Sequence, residues 1–282
     1  MRLDKYLSDM GEGTRSQLKK MIKDGRVTVD GITEKDPGAH VSADSVIFIG
    51  DRKIAYEDNV YLMMNKPAGV LSAARDPRQE TVLDLIEEPK RKDLFPAGRL
   101  DIDTTGLLLI TNDGKLAHYL LSPAHHVDKS YKALIEGKVT EDDVSAFAKG
   151  FKYDEDLVSM PAELEILEYS SDMAAGNSES QQRSKNSDDV NGSYDEDEKA
   201  ADTEAYGQLF TTVLVTIREG KFHQIKKMFH ARGKEVLKLQ RVSFGTLKLD
   251  DKLKEGEYRR LTSEEIKELM VLIKKMSYSD RA

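Results

Sequence analysis

The chain has 282 residues, no cysteine and a formal net charge of −8. The lack of cysteine excludes a disulfide framework, a thiolate nucleophile and a cysteine-ligated zinc or iron–sulfur site. The longest aliphatic run, Leu107 to Ile110, falls far short of the roughly 18 residues a membrane span needs. The first residues, MRLDKYLSDMGEG, have no apolar core of signal-peptide type. The expectation is a soluble, cytoplasmic, monomeric protein without membrane contact.

The acidity is unevenly placed. Residues 170–206 hold ten acids against three bases, a local charge of −7, which leaves −1 for the remainder, whereas Arg218 to Arg241 holds eight bases and two acids, a local +6. Overall charge therefore says little about the partner of such a chain.

In chain order, RLDKYLSDMG reads as a short amphipathic helix. Thr14 then caps a second helix, with Gln17 completing a capping-box pattern and Gly25 in the place of a C-terminal glycine. Arg15, Lys19, Lys23 and Arg26 share one stripe of that helix, beside an apolar face of Leu18, Met21 and Ile22. RVTVDGIT reads as a strand with an Asp30-Gly31 turn, and DSVIFIG as another strand that closes a module of about 55 residues.

A larger domain, 56–282, begins with NVYLMMNKPAGVLS, a strand running into a turn. ETVLDLI is expected as a short helix or strand, PAGRLDIDTTG as a loop, LLLIT as a buried strand, KLAHYLLS as a helix and SYKALIEGKV as a strand. From 170 to 206 the chain has too few apolar residues to offset the entropy of ordering, and a disordered insertion is expected. LFTTVLVTI resumes the strands, and KFHQIKKMFHARGKEVLKLQRVSFGTLKL predicts a helix, a stop at Gly233 and further strands. Within it, Lys221, Lys227, Arg232 and Arg241 fall outside the apolar positions Ile225, Met228 and Phe229 and are expected to form a phosphate-tracking surface. The six histidines show no metal-ligand spacing, and no metal is expected.

The stretch GRLDIDTTGLLLITNDG carries the most chemistry. Asp101, Asp103, Thr105 and Gly106 fit the first positions of a calcium loop, but the twelfth position, a bidentate glutamate in an EF-hand, is Asn112. D-x-D-x-T is also the phosphoaspartyl signature of haloacid-dehalogenase-type phosphatases. That loop follows a hydrophobic strand, whereas here the strand comes after it.

The residues RLDKYLSDMG, TRSQLKKMIKDGRVTVDG and ADSVIFI together resemble the S-four-type RNA-binding module, over residues 2 to about 48. GRLDIDTTGLLLITNDG, YLMMNKPAGVLSAARDP, DKSYKA, EGKFHQIKKMF and GEYRRLT, in this order apart from the first two, resemble the bacterial ribosomal RNA pseudouridine synthases that carry such a module in front. The resemblance implies an α+β chain, with a small N-terminal RNA-binding module and a mixed catalytic domain on a mainly antiparallel sheet. It implies isomerisation of uridine to pseudouridine in ribosomal RNA, without a cofactor.

It also assigns residues. Asp101 is the implied catalytic carboxylate, either attacking the sugar or removing a ribose proton. Lys226 is the cation beside it, where many relatives have arginine. Tyr131 is the ring on the flipped uracil, and Arg99 holds the vacated space or a phosphate. Arg15, Lys19, Lys23 and Arg26, with Lys221, His223, Gln224 and Lys227, become candidate RNA contacts. EGKFHQIKKMFHARGKEV is more similar to small-subunit (16S) enzymes than to large-subunit (23S) ones. The 23S enzyme and a non-catalytic RNA-binding assembly factor stay as alternatives.

Overall fold

The structure, a computed structural model, describes residues 1–56, 59–87, 91, 93–155, 157–171 and 209–279. From residue 172 onward the expected acidic insertion lies outside the described residues. The chain divides into two compact units, Met1–Lys129 with Gln240–Ala282, and Ser130–Leu239.

Unit one opens with α1 (Leu3–Asp9) and α2 (Arg15–Lys23). Leu3, Tyr6 and Leu7, then Leu18 and Ile22, recur at three- and four-residue spacing. Each helix therefore turns one apolar stripe onto a core shared with Val27, Val41, Ile47 and Ile54. Thr14 and Gln17 form the expected capping box, and Gly25 takes a φ of 72° where the helix ends. Four short strands follow, β1 (Val27–Val29), β2 (Ile32–Thr33), β3 (Ile47–Ile49) and β4 (Arg52–Ile54), in the antiparallel order β2-β1-β3-β4. Asp30 and Gly31, at φ 52° and 84°, make the tight hairpin turn that their types favour.

The rest of unit one is built on β5 (Tyr61–Lys66), β6 (Phe95–Pro96) and β7 (Thr105–Thr111), followed by α3 (Gly114–Leu121). β5 is buried along its whole length and β7 from its second residue on. This is why their sequences read as continuous apolar runs rather than as alternation. Asp113 starts α3 by accepting from the amides of Lys115 and Leu116, both at 3.0 Å. ETVLDLI forms neither helix nor strand: Leu71 and Thr81 make a single bridge and turns follow. Asp84 there accepts from both the amide and the hydroxyl of Thr81 at 2.8 Å, a local side-chain bond that competes with regular structure.

β8 (Lys129–Glu136) leads into unit two, which adds α4 (Glu141–Lys149), β9 (Glu163–Ser170), β10 (Phe210–Ile217) and α5 (Gln224–His230). β11 (Val236–Phe244) returns to unit one, and β12 (Leu247–Lys248), β13 (Tyr258–Arg260) and α6 (Ser263–Ser279) complete the chain. In unit one the strand order is β13-β5-β7-β11, antiparallel except for the β7–β11 pair. In unit two it is β11-β8-β10-β9, with β9 and β10 antiparallel. Mixed α+β layers on mainly antiparallel strands are what the sequence implied. Among the described residues no helix is long and apolar enough to cross a membrane.

Gly106, at φ 100°, sits opposite Arg241 in the β7–β11 pair, and a Cβ there would run into the backbone nitrogen and oxygen of Arg241. Gly106→Ala should therefore cost about 2–4 kcal/mol through combined strain and lost pairing, read as a lowered urea midpoint at unchanged slope.

Candidate active site

Lys66 ends β5 and is fully buried. Its Nζ donates to three backbone carbonyls: Pro67 at 2.8 Å, Thr104 at 3.0 Å and Ile102 at 3.2 Å. An ammonium has three N–H donors, and all are engaged. The Ile102 carbonyl also accepts from the Gly69 amide at 2.7 Å, and the Thr104 amide donates to Asp101 O at 3.1 Å. On the other side of Asp101, Ser72 Oγ donates to Leu100 O at 2.9 Å and accepts from Leu100 N at 3.0 Å. The loop 100–104 is therefore tied at Leu100, Ile102 and Thr104. Asp101 stands half-buried between the ties, Arg99 is exposed just before them, and Asp103 is exposed within them.

Burial pushes the Lys66 ammonium down to about 8, against the pull of Asp103, Asp101 and Glu255. Lys66 was not among the expected site residues. In the sequence it is one lysine before a proline, and its acceptors are main-chain oxygens that no side-chain pattern reports.

In unit two, β8 places Tyr131 8% exposed. Lys226 lies half-buried on α5. The segment before α5 is held from inside. Glu219 Oε1 accepts from Met160 N at 2.9 Å and from Gln224 Nε2 at 2.6 Å, and Glu219 pairs with Lys221 at 2.9 Å. Gln224 Oε1 accepts from the Lys221 amide at 3.1 Å. Gln224 is 3% exposed and braces this turn, so its amide is not on the surface where an RNA contact was expected. His223 is in the left-handed region, φ 53°, uncommon for a residue with a side chain.

The expected phosphate-tracking surface needs correction as well. Arg241 is 2% exposed, donates from Nε to Leu107 O at 2.7 Å and lies 4.8 Å from the Phe244 ring centre. Lys221 pairs with Glu219, Lys227 with Asp154, and Arg232 with Asp142 and Asp143; Lys234 also pairs with Asp143. Asp142, Asp143 and Asp154, brought in by folding, offset part of a run that stands at +6 along the chain. By contrast Arg15, Lys19 and Lys23 on α2 are exposed, and so is Arg26, which lies beyond the end of the helix rather than on the expected stripe; among the described residues none of the four forms an ion pair. No group of three or more His, Asp or Glu able to hold a metal occurs among the described residues.

A tethered aspartate loop behind a basic RNA-binding-type module defines a class. The family model for RNA pseudouridylate synthases matches residues 60–231, and that for the S4 domain matches residues 1–47. The chain belongs to the RNA pseudouridylate synthase family and is an isomerase of that kind. It is similar to the Bacillus subtilis protein named uncharacterized RNA pseudouridine synthase YtzG, 40% identical over 94% of this chain and 97% of that one. It is also similar to ribosomal small subunit pseudouridine synthase A of Vibrio parahaemolyticus, 37% identical over 94% and 98%. A crystal structure described as a pseudouridylate synthase matches at 32% identity with a TM-score of 0.58, over 95% of this chain and 99% of that one.

The unfolded lysine, near 10.4, holds its proton through a window above pH 8 in which the folded one releases it. This group's contribution to stability therefore rises from about pH 8 towards 10.4. The neutral amine has only two N–H donors for three carbonyls. Pseudouridine formation should therefore fall with a midpoint near pH 8 while urea stability does not, and Lys66→Met should lose about 100-fold in kcat/KM and that alkaline limb with it. Parallel pH–rate and denaturation profiles test both.

Proposed function

We propose that this chain converts a uridine of small-subunit (16S) ribosomal RNA to pseudouridine, acting as a monomer in the bacterial cytoplasm, with Asp101 as the catalytic carboxylate. The observation that carries this is the loop 100–104. It holds a carboxylate between backbone ties on both sides, which pre-sets the position of a group that must reach a ribose. Relatives named for the ribosomal small subunit, similar over nearly the full chain, support the choice of RNA.

The reaction breaks the bond from N1 of uracil to the ribose, turns the base and forms a bond from C5, which loses a proton while N1 gains one. No electrons are gained or lost, so no redox cofactor is required. Asp101 acts on the sugar, by attack or by taking a ribose proton. The Tyr131 ring lies against the displaced uracil, with its hydroxyl available for the C5 proton. Lys226 supplies the positive charge that keeps a carboxylate ionised in a closed site. Arg99, exposed next to the tied loop, holds the flipped nucleotide's phosphate or the space it leaves. The stripe on α2 binds phosphates of the surrounding RNA.

Nucleotide-resolution mapping of pseudouridine in 16S and 23S rRNA, from cells with and without the gene, should show one 16S site lost. Wild type should restore it and Asp101→Asn should not, although the variant still binds RNA. A lost 23S site would move the substrate to the large subunit, and turnover by Asp101→Asn would remove that residue from its role. In binding titrations, neutralising Lys19 and Lys23 should lower the slope of log affinity against log salt by about 0.7–0.9 per residue, whereas Arg232→Gln should leave it nearly unchanged.

A further inference from the structure

Phe222 is 68% exposed, the most exposed aromatic side chain among the described residues, and contributes little to any core. Its ring lies against the His223 imidazole, with centres 3.8 Å apart and planes 19° from parallel. Lys227 Nζ is 5.7 Å from the Phe222 ring centre.

The segment that carries this ring is not loose. His223 is fixed in the left-handed region, its carbonyl accepts from Lys227 N at 2.9 Å, and the flanking Lys221 and Gln224 bond each other's backbones. Glu219 fastens the turn from within through Gln224 and Met160. The backbone that carries the exposed phenyl ring is therefore held by polar bonds that do not involve the ring. Preorganisation of this sort favours a ligand, because the ordering cost does not fall on binding.

We infer that Phe222 is a stacking platform for an unpaired base of the substrate RNA, and sets affinity for RNA rather than the rate of the chemical step. This rests on RNA being the substrate, as proposed above. A flat apolar ring extended by an imidazole matches the face of a nucleobase. Every base offers a π-face to such a ring, and single-stranded RNA is recognised chiefly in this way. Because Phe222 lies only four residues before Lys226 in sequence, the base concerned belongs to the RNA around the target uridine.

The chain contains no tryptophan, so Phe222→Trp supplies a single emitter at the position in question. Wild type, Phe222→Leu and Phe222→Trp are titrated with a 16S rRNA transcript by filter retention, and their turnover is measured on the same transcript. Phe222→Leu should raise Kd and KM about tenfold, within the range expected for the loss of one base–aromatic stack, with kcat within about twofold and thermal unfolding unchanged. Phe222→Trp should bind as wild type does, and its emission should be quenched at saturating transcript. Unchanged Kd for Phe222→Leu, or unchanged tryptophan emission at saturation, would overturn the stacking role and leave the ring to a protein partner. If wild type itself fails to bind the transcript, the RNA reading falls, and this is seen before either variant is compared.

Discussion

One buried ammonium shapes the loop 100–104. Removing a lysine charge from water is costly, and a fully buried Lys66 is tolerated because three carbonyls and the nearby carboxylates of Asp101 and Asp103 face it. The dependence runs both ways. Two of the three carbonyls are 36 and 38 residues further along the chain, so the strand end at Lys66 and the loop before β7 can only form together. The β5–β7 pairing, with Met63 opposite Leu109 and Lys66 opposite Gly106, brings the ammonium to that loop. The apolar packing beneath those strands, including Leu107, Leu109 and Phe244, keeps it there.

Charge is arranged differently in the two basic regions. On α2 the cations Arg15, Lys19 and Lys23 are exposed and, among the described residues, without ion pairs, which is what long-range attraction to phosphate needs. In unit two Asp143 serves three purposes: it accepts from the Thr140 amide at the start of α4 and binds both Arg232 and Lys234. Burial alone would push its carboxyl up, but Arg232, the Thr140 amide and Lys234 together hold it below the usual carboxylate range. Much of the basic run from 218 to 241 thus stabilises its own unit, while α2 presents charge outward.

Much of this was legible in the sequence. Capping residues, the Asp30-Gly31 turn, the continuous apolar runs of β5 and β7 and the Asp-containing loop are local signals, and local signals survive folding. What escaped was non-local. Lys66 acts through main-chain oxygens, which leave no trace in side-chain order. The charge of residues 218–241 was counted along the chain, whereas its partners, Asp142, Asp143 and Asp154, come from around α4, about 70 to 90 residues earlier. Gln224 and Arg241 read as surface residues because polarity alone does not distinguish a phosphate contact from an interior brace. ETVLDLI had the composition of an element, but Asp84 and Thr81 satisfy each other locally.

The ties that Lys66, Gly69 and Ser72 make to the loop 100–104 are to its backbone atoms. The carbonyl of Ile102 accepts from Lys66 and from the Gly69 amide whichever side chain stands at 102, and the Ile102 side chain is exposed. Shape and surface chemistry are thereby separated within five residues. Substitution at 102 can alter the surface beside Asp101 without removing any of those ties. A lineage of such enzymes can therefore vary the surface presented at this loop while its backbone stays constant.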